Sequence, residues 1–140
     1  KMQQLIDQQL PTKNYPYAIR IQGTFPYLKF RSVPKQKPPY RPLVDVVKDQ
    51  SIFELRNVKG TLVGFRTPNY MQGVNISGYH LHFITQDRKT GGHLLDGQFQ
   101  EAKVELDAMS EVKIVLPKNG EFEQADLGDG RTAEVNQVER

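Results

Sequence analysis

The sequence predicts an α+β fold, a strand-rich, mixed or mainly antiparallel sheet with few short helices. Three observations carry this. Apolar residues alternate with polar ones through Tyr17–Gly23 and Tyr79–Thr85, the two-residue period of a half-buried strand. Glycine and proline break the chain repeatedly, with four prolines between 33 and 42. Helical spacing is confined to two short stretches. With 140 residues there is enough chain for one domain with a core.

The elements follow in order. Met2, Leu5, Ile6 and Leu10 have helical spacing, and Pro11 stops that helix. Tyr17–Gly23 and Thr24–Arg31 read as two strands joined by a tight turn near Gly23. Residues 33–42 are loop. Leu43–Lys48 reads as a short helix, with Pro42 at its first turn. Ser51–Asn57 and Gly60–Thr67 are two more strands. Tyr79–Thr85 and a strand from His93 to about Leu106 form a hairpin, with Gly91-Gly92 allowing its turn. Glu111–Pro117 is a last strand. Residues 1–120 form the sheet domain, and 121–140 are a polar tail.

The hairpin carries chemistry. All three histidines, His80, His82 and His93, fall within fourteen residues. On a strand, His80 and His82 leave one face while Leu81 and Phe83 leave the other. His93 returns beside them. Cysteine is absent, so a metal must be held by nitrogen and oxygen. Three imidazoles with an open fourth position suit one catalytic zinc ion, and copper, nickel or iron stay open. Asp87 and Asp96 flank His93 and are candidates to orient an imidazole, although either also reads as a turn residue. Tyr79 is expected to face the core.

Ile76-Ser-Gly-Tyr-His-Leu-His-Phe-Ile84, Asp87-Arg88 and Gly91-Gly92-His93 resemble the metal-binding segment of the acetolactate decarboxylases. Ala18-Ile-Arg-Ile21, Gly23-Thr-Phe25, Arg31-Ser-Val-Pro-Lys-Gln36 and Gly60-Thr-Leu-Val-Gly-Phe65 continue the likeness over nearly the whole chain. The resemblance implies one half, the C-terminal, metal-bearing domain, of a two-domain enzyme. It implies a lyase that converts 2-acetolactate, a 2-hydroxy-3-keto acid, to acetoin and CO2, on the way to butanediol. It puts zinc on His80, His82 and His93. It gives Arg31 the substrate carboxylate and brings a tail glutamate, Glu139, toward the metal, with Glu134 as competitor. The absent N-terminal half would be a partner supplying a further glutamate, so the chain alone is expected to be inactive. On its own residues, Arg31 sits in a basic run and reads as a solvated side chain.

Two other readings stand beside this one. A cupin-like metalloenzyme also uses His-x-His, but cupins place a glutamate soon after the pair, where this chain has Phe83-Ile84-Thr85-Gln86. A binding module with a structural metal would need four protein ligands. Nucleic-acid binding is not expected: the formal net charge is only +3, and the basic run Lys29–Lys37 is interrupted by prolines. No apolar run approaches the roughly 20 residues of a membrane span. A cytoplasmic location is expected, with secretion open because the sequence starts at Lys1 with no obvious initiator. Assembly as a homodimer is also open.

Overall fold

In a computed structural model, residues 2–128 and 132–139 are described, apart from the side chains of Glu121, Thr132, Asn136, Gln137 and Glu139. Among the described residues, five strands carry the fold: β1 (Tyr17–Ser32), β2 (Ser51–Thr67), β3 (Gly78–Thr85), β4 (Gly91–Gln98) and β5 (Glu101–Ala108). The helices are short: α1 (Met2–Asp7), α2 (Leu43–Val46), α3 (Gly120–Glu123) and α4 (Thr132–Glu139). A 3-10 turn at Val47–Asp49 extends α2, whose first turn rests on the Pro42 carbonyl.

All the strand pairings are antiparallel, and they close a ring. β1 pairs with β2, β2 with β3, β3 with β4, and β4 returns to the second half of β1. β5 lines the first half of β1 on the same edge. One row runs Arg31, His93, His82, Val63 and reaches β1 again at Arg20, eleven residues from where it began. Such stagger is what closure of a small sheet requires.

The expected turn near Gly23 does not exist, because β1 runs through it. A side chain at Gly23 would place its Cβ 2.3 Å from the Glu101 carbonyl oxygen and 2.8 Å from the Ala102 Cα. The glycine allows β5 to approach β1 closely, a demand that looks like a turn in one dimension. The actual discontinuity is Pro26. The β1–β2 register skips it, and Asn57, its opposite number, takes φ 51°. Proline lacks the N–H the ladder needs. Up to that point the buried side chains are Tyr17, Ile19, Ile21 and Phe25, and beyond it they are Leu28 and Phe30. The phase of burial therefore flips. Without the flip Arg31 would occupy a core-facing position; with it, Arg31 shares the opposite face with the histidines.

The core is built on aromatic contacts. Phe83 meets Phe25 edge-on and Phe30 at a tilt, each at 5.6 Å between centroids. Ile21, Leu28 and Leu62 fill the space around them with no exposed surface. Helix α1 adds Met2 and Ile6 to this cluster. It is fixed by Tyr79, whose hydroxyl donates to Asp7 at 2.7 Å, so Tyr79 does face inward from β3. Burial, with the adjacent Asp7 carboxylate, pushes the Tyr79 hydroxyl far above its ordinary range.

Two further expectations are corrected. The strand expected from His93 to Leu106 is split at Phe99-Gln100 into β4 and β5, which pair with different halves of β1. Glu111–Pro117 forms no strand. Val112, Ile114, Val115 and Leu116 are exposed there, since β-prone residues make a strand only where a partner edge is offered. Within the polar tail, the described residues include α3 and α4. No helix among the described residues is long and apolar enough to cross a membrane.

Candidate metal centre

The β3–β4 hairpin sets out the three histidines. Leu81 and Phe83 are buried in the core, which turns His80 and His82 to the opposite face. The turn between the strands is held by Asp87, which accepts from the Thr85 hydroxyl at 2.6 Å and from the Lys89 N–H at 3.1 Å. Asp87 is thus a turn residue. Asp96 accepts from the Gly97 N–H, beside a bulge at Leu95 where the β1–β4 register shifts. Neither carboxylate has a hydrogen bond to an imidazole among those described.

Gly91 and Gly92 lie inside β4 rather than in the turn. A Cβ on Gly92 would stand 2.2 Å from the Arg31 carbonyl oxygen. Only glycine lets β4 close onto β1 here. Gly92→Ala is expected to push β4 off β1 and destabilise the fold by about 1–3 kcal/mol. Metal affinity should fall with it, because His93 is the next residue. Urea denaturation and equilibrium dialysis check this; an alanine variant as stable as wild type would contradict it.

His93 pairs with His82 across the hairpin, and Arg31 pairs with His93 from β1. The His80 and His82 Nε2 atoms are 3.1 Å apart. One ring nitrogen from each histidine lies within 4.8 Å of the others. Bonds of about 2.0–2.1 Å to a tetrahedral ion put ligand nitrogens about 3.3 Å apart. The three imidazoles are therefore close enough to converge on one ion.

Around them is a cleft of about 380 Å³ lined by Arg31, Ser32, Val33, Leu43 and Gly92 as well as the histidines. Arg31 is not the solvated side chain its basic run suggests: it is 6% exposed. One guanidinium N–H donates to the Val138 carbonyl oxygen of α4, at 2.5 Å. Glu134 is exposed on α4, and Glu139 stands in its last turn with its side chain outside the described residues. Sequence reasoning missed Val138, because a backbone acceptor has no residue signature, and Leu43, whose helix reads as a connector.

Burial, the Arg31 charge and the two neighbouring histidines hold the His93 pKa down at about 4. His93 is therefore neutral, the form that ligates. The sign for stability follows. Between pH 6.5 and about 4 the unfolded chain binds a proton that folded, metal-free His93 refuses, so stability is full above 6.5 and is lost on acidification through that window. Asp7, held below its ordinary 3.8, acts at lower pH. Thermal denaturation of the metal-free protein is expected to show a falling midpoint from pH 6.5 to 4, and His93→Gln should flatten it. A midpoint independent of pH in the wild type would refute the assignment.

The alpha-acetolactate decarboxylase family profile matches residues 1–129. The chain belongs to the alpha-acetolactate decarboxylase family. It is 46% identical over 140 residues to the alpha-acetolactate decarboxylase of Methanosarcina mazei, covering all of this chain and 49% of that protein. Against the Brevibacillus brevis alpha-acetolactate decarboxylase it is 44% identical, covering 99% of this chain and 49% of that one. The crystal structure of the Bacillus subtilis strain 168 decarboxylase superposes with a TM-score of 0.93 at 39% identity, over 99% of this chain and 59% of that one. The chain thus spans about half the length of the decarboxylases it matches. The strand-rich, mainly antiparallel architecture with few short helices is the architecture found.

Proposed function

We propose that this chain is the metal-bearing half of a zinc-dependent decarboxylase that converts 2-acetolactate to acetoin and CO2. The observation that carries the reading is one cleft holding three convergent imidazoles beside a buried arginine. Family membership supports the substrate. The donor set is all nitrogen, which suits zinc. When bound, the ion supplies Lewis-acid stabilisation of negative charge on the hydroxyl and ketone oxygens.

The chain's own residues do the rest. The Arg31 guanidinium holds the substrate carboxylate by charge-assisted hydrogen bonds and fixes which carbon–carbon bond lies ready to break. As CO2 leaves, the electron pair of that bond passes to the ketone oxygen, giving an enediolate. A carboxylic acid then returns a proton to the carbon that lost CO2, on one face only. Glu139 at the end of α4 is our assignment for that acid, with Glu134, five residues earlier in the same helix, as the competitor.

The cleft opens on the outer face of the sheet, and Val33 just after β1, Leu43 on α2, and Ile52, Val63 and Phe65 on β2 are exposed beside it. A further half of the enzyme, of the kind the longer relatives contain, would cover these residues and bring its own glutamate to the substrate.

The test is direct. The intact protein, loaded with zinc, is given 2-acetolactate while acetoin is assayed, and an anomalous-scattering map locates the ion. Turnover with an ion bound to all three histidines is expected. No acetoin from the metal-loaded protein would overturn the function, and an ion held elsewhere would overturn the site.

A further inference from the structure

We infer that helix α4 is a positioning element for Arg31, acting through the backbone carbonyl of Val138. This rests on the reading that Arg31 receives the substrate carboxylate.

The geometry has three parts. First, the Arg31 side chain is buried, and its Nη2 donates to the Val138 oxygen across 107 residues of sequence. Second, Arg31 Nε is buried without an acceptor among the described residues. A guanidinium carries five N–H donors in a rigid fork, and one left unmet in a buried place is costly. One part of the fork is thus anchored by protein while another waits for an acceptor. A carboxylate in the cleft is such an acceptor, and it accepts in the same plane. Third, the anchor is itself fixed. Val138 is 7% exposed, and α4 packs on α2, whose Leu43 lines the cleft.

The last carbonyls of a helix have no partner within it and carry the negative end of its dipole. A cation there is stabilised. The same bond limits how the guanidinium plane can turn. Without α4, Arg31 would keep its charge near the cleft but lose the orientation that makes a two-point contact possible.

The experiment uses the intact enzyme with Val138→Asp, which puts a charge in a buried place and undocks the helix end, and the milder Val138→Ala. Four quantities are read: zinc content, KM and kcat for acetolactate, and inhibition by acetoin, which lacks the carboxylate. Val138→Asp is expected to raise the acetolactate KM about tenfold or more, with Val138→Ala between it and wild type. Zinc content and the acetoin inhibition constant should stay within about twofold. In an Arg31→Ala background, Val138→Asp should add nothing to the KM defect, because the residue it orients is gone.

A merely structural helix would give a different pattern: zinc and acetoin binding would fall too, and the two substitutions would add. Either result overturns the inference, as does an unchanged acetolactate KM in Val138→Asp. Wild-type enzyme that produces no acetoin sinks the proposed function instead, so the two failures are distinguishable.

Discussion

Replacing His82 by alanine is expected to remove metal and turnover together while leaving the fold intact. The side chain is exposed on the face of β3 away from the core, and its neighbours Leu81 and Phe83 hold the strand in place. Losing an exposed side chain of this kind shifts stability by about 0.5 kcal/mol or less. The metal is another matter. Loss of a partner that only orients a ligand already costs about 10- to 100-fold in metal affinity, and loss of a ligand should cost more. With two imidazoles left, zinc content after dialysis should drop to background. Acetoin formation should drop with it, by three orders of magnitude or more. Circular dichroism and the denaturation midpoint of the metal-free variant should match wild type. A His82→Ala enzyme with a full complement of zinc would remove the three-histidine site from consideration.

Arg31→Ala separates the two functions that His82→Ala removes together. Zinc content should remain near normal, because a guanidinium does not ligate. Turnover should fall at least 100-fold. The charge-assisted contact alone is worth about 1.5–3 kcal/mol, or about 10- to 150-fold, and lost orientation adds to it. Arg31→Lys should recover little, since an ammonium is a point charge without the planar fork. Both variants should also lose some stability, because the residue is buried and the Val138 carbonyl loses its donor. Activity and metal analysis on the same preparation make the comparison. Wild-type turnover in Arg31→Ala would show that the substrate carboxylate is held elsewhere.

The grouping of the three histidines was legible because every step of its assembly is local. An alternating strand, a short turn and a returning strand bring His80, His82 and His93 together without help from distant sequence. Arg31 was harder to read. Its place depends on the phase flip at Pro26, which only the paired strand with Asn57 makes visible. By plain alternation it belongs in the core, and by composition it belongs in solvent. The family resemblance put it at the substrate, and in the structure it lines the same cleft as the histidines. Gly23 misled for a related reason. Glycine is demanded both by turns and by backbones pressed together, and local sequence does not distinguish the two. The run Val112–Leu116 has strand composition, but a strand is a property of two chain segments, and one sequence window holds only one of them. Val138 acts through an atom that every residue possesses.

The fourteen-residue span of the three histidines has a consequence for thermodynamics if they hold the ion as proposed. A denatured chain still carries all three imidazoles on one short segment, so it remains a usable chelator. An ion that binds both native and denatured protein raises the unfolding free energy only by the difference between the two affinities. What the native state adds is the fixed hairpin, the pairing of His93 against β1, and a neutral, buried ring. Zinc should therefore raise the melting temperature by less than its affinity for the folded protein suggests.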